Sequence, residues 1–453
     1  MHATAALATA AALFGGIISP AATPAGGADW PQWRGPDHNG VTPESSGRPA
    51  GWPPKKLWGR NVGAGCTSPV IAAGRIYVMG WTGTGRGNPV GTDTVQCLDA
   101  RTSRRLWKQS YRCRYQGRFR AGDTRQYGGP SSTPSYDRST KRLYTLSIDG
   151  NLRCWDAAAS GRPVWAKNLY DECKVARRPD VGKGRRDYGF TSSPLIRGNV
   201  VIVEVGSGQG TVMAFDKATG RRRWVSALKG PAGHTAGPVP LTVGGTSSLA
   251  TLTLTRLVVM RADKGHEGKT LAEYPWRTDY ACSLATPAAA GGQVILTSSY
   301  SRKRTELVEV SSGRAVKKWQ SEYHALLCSP VIHKGRVYLV HRQLYCLDLA
   351  TGKLLWRGGS FGHGSCLVTA GDDKLLAFGN GRLALVDASP SASKYCELAR
   401  VDKVVPKTCY PHVALAGGII CCKDQAGNMV GFSVGRAPPE PSSRPAQEQL
   451  GAR

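Results

Sequence analysis

Residues 216–224 read Asp216-Lys217-Ala218-Thr219-Gly220-Arg221-Arg222-Arg223-Trp224, a tight turn that runs straight into a strand. The Asp side chain caps such a turn, Gly takes its positive-φ position, and the strand that follows carries Trp to where it wedges between sheets. The pattern returns from Asp348 to Trp356, from Asp156 to Trp165 with one extra residue, and from Asp99 to Trp107 with Ser103 in place of Gly. Glu309 to Trp319 and the stretch before Trp276 are variants of it. Self-similarity at such an interval is the mark of a repeat architecture.

The other half of the unit reads Ser/Thr-Pro, apolar residues, a Gly turn and a β-rich strand. Ser68-Pro69-Val70-Ile71-Ala72-Ala73-Gly74-Arg75-Ile76-Tyr77-Val78 is the clearest copy. Others begin at Thr133-Pro134, Ser193-Pro194, Gly237-Pro238, Thr286-Pro287 and Ser329-Pro330, with degenerate copies near Cys366-Leu367-Val368 and His412-Val413-Ala414. Each unit supplies about four short strands, and one such sheet cannot bury both of its faces. Packing the sheets radially solves this, so the expectation is an all-β chain folded as a single β-propeller of about eight four-stranded blades. The last unit, His412 to Val434, runs into a Pro-rich tail with no Trp. Lys55-Lys56-Leu57-Trp58 matches Lys353-Leu354-Leu355-Trp356, so an N-terminal strand is expected to complete the last blade and close the ring. Seven blades would result if the stretch 366–401 failed to make a full one. Trp58, Trp107, Trp165, Trp224, Trp319 and Trp356 are the expected blade-docking residues.

The 453 residues are 41% hydrophobic, an ordinary value for a globular chain, and 56 are Gly, as many short strands joined by tight turns require. Residues 1–28 carry no Lys, Arg, Asp or Glu; an Ala-rich apolar run followed by small residues reads as a secretory signal peptide cleaved near Ala25 or Ala28. The apolar run is too short and too rich in Ala and Gly for a membrane span. The domain reading is a signal peptide at 1–28, a loop-like lead at 29–54, the propeller at 55–435, and a disordered Pro/Ser/Glu-rich tail at 436–453. Lys and Arg total 60 against 31 acids, a net charge of +29 that favours anionic partners. Export disfavours nucleic acid among them. Thirteen cysteines leave at least one unpaired in a monomer. Cys97, Cys154 and Cys346 share one repeat slot with Ala214 and Leu385, so they read as small buried apolar residues. Cys113 and Cys173 are candidates for a disulfide in an oxidising compartment.

The recurrent Ser-Pro…Leu-Asp-x-x-Thr-Gly-x-x-x-Trp unit resembles the PQQ-like, or quinoprotein-like, propeller repeat, over roughly residues 29–435. The lead Asp29-Trp30-Pro31-Gln32-Trp33-Arg34-Gly35-Pro36 with Asn39-Gly40-Val41 resembles the start of exported bacterial propellers of this group. That scaffold serves quinoprotein alcohol dehydrogenases and also the non-catalytic BamB-like scaffold of outer-membrane β-barrel assembly, so the resemblance implies a fold and not one activity. The first cysteine is Cys66, so the lipid-acceptor cysteine of the BamB-like relatives has no counterpart beside the signal. A dehydrogenase of this kind holds PQQ by Arg or Lys clamps and aromatic stacking, with Ca²⁺ on carboxylate and amide oxygens and an Asp as base. No matching Glu…Asn…Asp set is present. Cys421-Cys422 imitates the vicinal cysteine pair of the alcohol-oxidising relatives, but in the last blade and in a strand. Glu204 is a single acid in an apolar strand, facing either the channel or an edge.

The connections between blades carry Tyr or His just before each first strand: Tyr127, Tyr188, His234, Tyr280, His324, His363 and His412. In a propeller these connections share one rim, so they form either a ligand-binding funnel or the packing of the strand starts. Two of the connections, Arg112 to Arg125 and Lys174 to Arg186, are long and basic. The expectation is a periplasmic or extracellular binding or scaffold propeller, monomeric, without catalytic residues, metal or cofactor. It would hold a protein partner or an anionic or sugar-like ligand, near the outer membrane without spanning it. The alternative is a PQQ-dependent oxidoreductase acting on an alcohol or a sugar.

Overall fold

The computed structural model describes residues 28–83, 90–114, 129–176, 178–184, 187–233, 237–406 and 408–435. In blade 1 the strands Val70–Ala72, Arg75–Gly83, Val90–Asp99 and Arg105–Arg114 hydrogen-bond in chain order. Blades 2 to 5 repeat that order over residues 135–168, 195–225, 239–275 and 288–321, and blade 7 does so over 365–401. First strands of neighbouring blades touch one another, so they ring the axis. Blade 6 spans 331–362, and its Arg336–Asp348 is one continuous stretch of strand. Arg336 Nη1 nevertheless lies 3.8 Å from Cys346 Sγ, ten residues on, so this stretch doubles back as a hairpin. Arg342, at φ 63, sits at the reversal.

Blade 8 takes Ala414–Ala416, Ile419–Lys423 and Asn428–Ser433 from the end of the chain and Lys55–Asn61 from its start, with Trp58 opposite Gly431. The stretch 366–401 forms a full blade, so the ring has eight blades, closed by the N-terminal strand as the missing final Trp implied. The one α-helix among the described residues, Leu169–Cys173, is capped by the Asn168 side chain. No described helix is long and apolar enough to cross a membrane.

The two repeat signatures join neighbouring blades. Trp107 of blade 1 lies over Gly161 of blade 2 and donates through Nε1 to Ala157 O at 3.3 Å. Trp165 does the same to Gly220 and Lys217 O (3.2 Å), and Trp319 to Gly352 and Leu349 O (2.8 Å). Trp58 of blade 8 donates to Ala100 O of blade 1 at 3.0 Å, where Ser103 takes the positive φ. Trp224 is half-buried between blades 3 and 4, and Trp356 is buried against Tyr395 of blade 7. Gly at the turn therefore answers two demands, a left-handed backbone and space for the neighbour's indole.

The Ser or Thr before each Pro makes a second link. Its hydroxyl accepts the amide of the corresponding residue one blade earlier: His412 N to Ser68 Oγ (2.8 Å), Ser68 N to Thr133 Oγ1 (3.0 Å), Thr133 N to Ser193 Oγ (3.0 Å) and Thr286 N to Ser329 Oγ (3.1 Å). Pairing these buried amides offsets a desolvation cost of about 1–3 kcal/mol each.

The lead crosses the channel. Trp30 exchanges backbone bonds with Ile71 of blade 1, and Pro31 O accepts from Tyr136 N of blade 2. Only a few residues later Arg34 donates to Pro287 O of blade 5 and Pro330 O of blade 6. Val41–Thr42 then pairs in parallel with Val368 and Thr369 of blade 7, and Glu44 accepts from Gly417 N and Gly418 N of blade 8. Blades 1 and 5 face each other across an eight-membered ring, so a segment touching both bridges the axis.

Candidate functional site

Connections and second-to-third-strand turns open on one mouth, and there the chain leaves an axial pocket of about 900 Å³ of empty space, mouth included. Trp33, carried by the lead, is its floor: its ring lies 4.4 Å from that of His412 and its Nε1 donates to Thr286 Oγ1 at 3.1 Å. Tyr188, Tyr300 and Tyr410 stand in the wall. Ile148, Leu284, Leu326 and Leu327 supply its aliphatic surface, and the remaining side chains are small hydroxyls and thiols such as Ser131, Thr191 and Cys66. No carboxylate, amide, Arg or Lys is among its described lining residues.

Arg34 lies behind Trp33, buried, its guanidinium held by the carbonyls of Pro287, Pro330 and Asn39. Burial lowers it to about 10. Burial and the nearby Arg34 charge push His412 down to about 3; burial with Arg34 and Arg197 does the same to His38. Behind the indole floor, one guanidinium is thus flanked by two neutral imidazoles.

Of the residues singled out in the sequence, Tyr188 and His412 line this pocket. Tyr280, at φ 59, packs its ring at 6.0 Å edge-on to Tyr300. His324 and His363 belong to a file of rings along the mouth. His324 lies 5.0 Å from His341, His341 5.3 Å from His363, and His363 6.3 Å from Tyr410. Burial first, then His324, His363 and Arg342, lowers His341 to about 4. Tyr127 and His234 lie outside the described residues. Trp33, Tyr300, His341 and Tyr410 were not anticipated. Tyr300 and His341 sit in turns between second and third strands, which reach the same mouth as the connections; that geometry was the available signal.

Glu204 faces neither the channel nor an edge. It is 2% exposed between blades 3 and 4, accepts a hydrogen bond from Thr251 Oγ1, and leaves Oε2 without a hydrogen-bond partner. Burial pushes its carboxyl up to about 8. Arg178, from the second long basic connection, turns inward to Asp187 (3.1 Å) and to the carbonyls of Ala232 and Gly233. Cys421 and Cys422 are buried thiols of blade 8, and Cys97, Cys154 and Cys346 are buried in their blades. Cys113 and Cys173 do not meet: Cys113 packs with Trp81 and Ile148, whereas Cys173 lies 3.7 Å from Met213 Sδ. Cys328 and Cys366 face each other at 4.0 Å on neighbouring blades.

A family model described as outer membrane protein assembly factor BamB matches residues 91–358. Among solved structures, BamB from Moraxella catarrhalis is similar at 11% identity and a TM-score of 0.56, over 84% of this chain and 99% of that one. The quinohemoprotein alcohol dehydrogenase from Comamonas testosteroni is similar at 14% identity and a TM-score of 0.64, over 92% and 82%. The computationally designed Ika8 protein is similar at 11% identity and a TM-score of 0.52, over 84% and 99%. No curated protein sequence matches the chain. Likeness at such identities speaks for the fold alone.

Proposed function

The chain belongs to the PQQ-like propeller family whose model is described as outer membrane protein assembly factor BamB, and from that premise we propose that it is an exported, non-catalytic binding or scaffold propeller. The observation that carries this reading is the chemistry of the axial pocket. PQQ brings three carboxylates and a quinone, and its Ca²⁺ takes carboxylate and amide oxygens. The described lining instead offers tyrosines, leucines and small hydroxyls, over a floor formed by the indole of Trp33. The buried cations described beside the pocket, Arg34 behind that indole and Lys423 near Cys66, are both spent on backbone carbonyls. The described lining therefore does not fit the cofactor and its metal.

Such a lining suits an apolar or aromatic side chain presented by the loop of a protein partner, with tyrosine hydroxyls to orient it. The basic surface, at +29 overall, favours an acidic partner and speeds the encounter. An assembly role at the outer membrane, as the family description has it, fits a propeller that offers one open mouth and plugs its channel with its own lead.

The test is calorimetric titration of the mature protein with PQQ, with and without Ca²⁺, followed by dye-linked alcohol and sugar oxidation. No saturable binding and no turnover are expected. Tight, Ca²⁺-dependent binding with turnover would overturn the proposal in favour of a quinoprotein oxidoreductase. A photo-crosslinking residue at Tyr188 or Tyr410 should capture a discrete partner protein in the cell envelope, and the same residue at exposed Leu355 should not.

A further inference from the structure

Between blades 1 and 2, outside the axial pocket, Asp93, Cys113 and Asp149 bring one oxygen each from two carboxylates and one sulfur within 4.8 Å of one another. All three residues are buried, and Asp93 is 0% exposed. Asp93 comes from the third strand of blade 1, Cys113 from its fourth, and Asp149 from the turn between the second and third strands of blade 2. Ser147, from the same turn, donates through Oγ to Asp93 Oδ2 and lies 3.5 Å from Cys113 Sγ. Asp149 Oδ1 accepts from Asn151 N (3.3 Å) and Nδ2 (2.8 Å), and Asn168 Nδ2 donates to the Asp149 carbonyl, so the turn is braced from behind.

Asp93 Oδ1 is buried and no donor reaches it at full hydrogen-bond geometry; the Tyr111 hydroxyl and the Cys113 thiol are the donors beside it. A buried acceptor without a well-aligned donor is destabilising, and more so when it is charged. The nearby cation does not relieve it: the Arg153 guanidinium lies 4.1 Å over the face of the Tyr111 ring. Two buried carboxylates, one of them with an oxygen short of a well-aligned donor, and a buried thiol form a set that a bound cation completes.

We propose that Asp93, Cys113 and Asp149 form a binding site for a divalent transition metal ion of zinc type, which staples blade 1 to blade 2. The donor set selects the class. Sulfur disfavours Ca²⁺ and Mg²⁺, carboxylate oxygens disfavour Cu⁺, and Zn²⁺ or Co²⁺ accepts both. Metal–ligand lengths of about 2.0–2.3 Å require the three donors to draw together slightly, with Ser147 Oγ or a water in the fourth position. Binding displaces the Cys113 proton to solvent, because the thiolate is the ligand. Ile148, between Ser147 and Asp149, lines the axial pocket, so the ion would stiffen one wall of that pocket. The site itself stands independently of what the pocket binds.

The test uses the full mature chain, stripped with chelator and titrated with Co²⁺ and Zn²⁺. The expected result is one equivalent of Co²⁺ giving a thiolate-to-cobalt charge-transfer band, displaced by Zn²⁺, and a rise in melting temperature with either ion. Cys113→Ser should abolish the band, and Asp93→Asn should weaken binding at least about tenfold. A band that survives Cys113→Ser would place the ion on other cysteines and overturn the proposal, as would the absence of any band. Alkylation of the unsubstituted protein under mild denaturant, followed by peptide mapping, guards against a variant that fails to fold. Zn²⁺ should protect Cys113 and leave Cys97 and Cys346 unchanged; equal labelling of Cys113 with and without Zn²⁺ would mean that the cluster is only a hydrogen-bonded clasp.

Discussion

Gly161 and Gly74 share a φ of 71, yet they face different neighbours. A Cβ at Gly74 meets nothing within 4 Å, whereas one at Gly161 would lie 2.6 Å from the Trp107 ring. Gly74→Ala should therefore cost about 1 kcal/mol, the left-handed penalty alone. Gly161→Ala should cost roughly 1–3 kcal/mol more through overpacking, read from denaturation midpoints. Glu204 is a second case. Its folded carboxyl is raised to about 8 from an ordinary 4.5. A raised acid contributes stability that is complete below pH 4.5 and lost as pH climbs through 8. Glu204→Gln should accordingly match the parent near pH 5 and exceed it above pH 8 by at least about 1 kcal/mol in melting experiments. The repeat revealed the need for Gly at 161 in the sequence, because a turn and a following Trp are local features. The burial of Glu204 against Thr251, 47 residues away, was not visible, since it depends on how blade 4 packs on blade 3.

At the scale of elements, the Ser/Thr-Pro signature was plain as a strand start, but its hydroxyl has a partner one blade away. Ser193→Ala removes the acceptor of Thr133 N in a buried place and should destabilise by about 1–3 kcal/mol, while Ser193→Thr should recover most of it. The strand Lys55–Asn61 closes the ring by covering Asn428–Ser433. Deleting residues up to 61 bares that edge, and an exposed edge recruits other chains. The expected outcome is soluble oligomer or aggregate on size exclusion in place of monomer. In sequence the lead has only the composition of a loop, and its role needs the ring: Trp30 and Arg34 reach opposite blades only because closure brings those blades within the span of four residues.

At the scale of the whole molecule, two buried imidazoles and one half-buried imidazole weaken the fold in acid. His38 and His412 are lowered to about 3 and His341 to about 4, in each case first by burial and then by neighbouring cations or imidazoles. A base with a lowered folded value is destabilised as its unfolded form takes up protons. Stability from these groups is present above pH 6.5 and is lost as pH falls toward 3 or 4. The melting temperature should drop steeply between pH 6 and pH 4, and His341→Gln should lessen that drop; His324, His363 and Arg342 are the charged or titratable groups acting on His341.

Repetition by itself determined the propeller. A turn that recurs with a Trp behind it states that the chain makes the same sheet many times, and a Trp missing at the end but present at the start states how the ring closes. Eight blades rather than seven, the indole floor of the axial pocket, the file of rings along its mouth and the Asp93–Cys113–Asp149 cluster were decided only by tertiary structure. The physical reason is range. The repeat is written in contacts within one blade or between one blade and the next, each with a fixed place in the unit. The sites are made by side chains from turns of different blades and from the lead, which no spacing along the chain relates and only closure of the ring brings together.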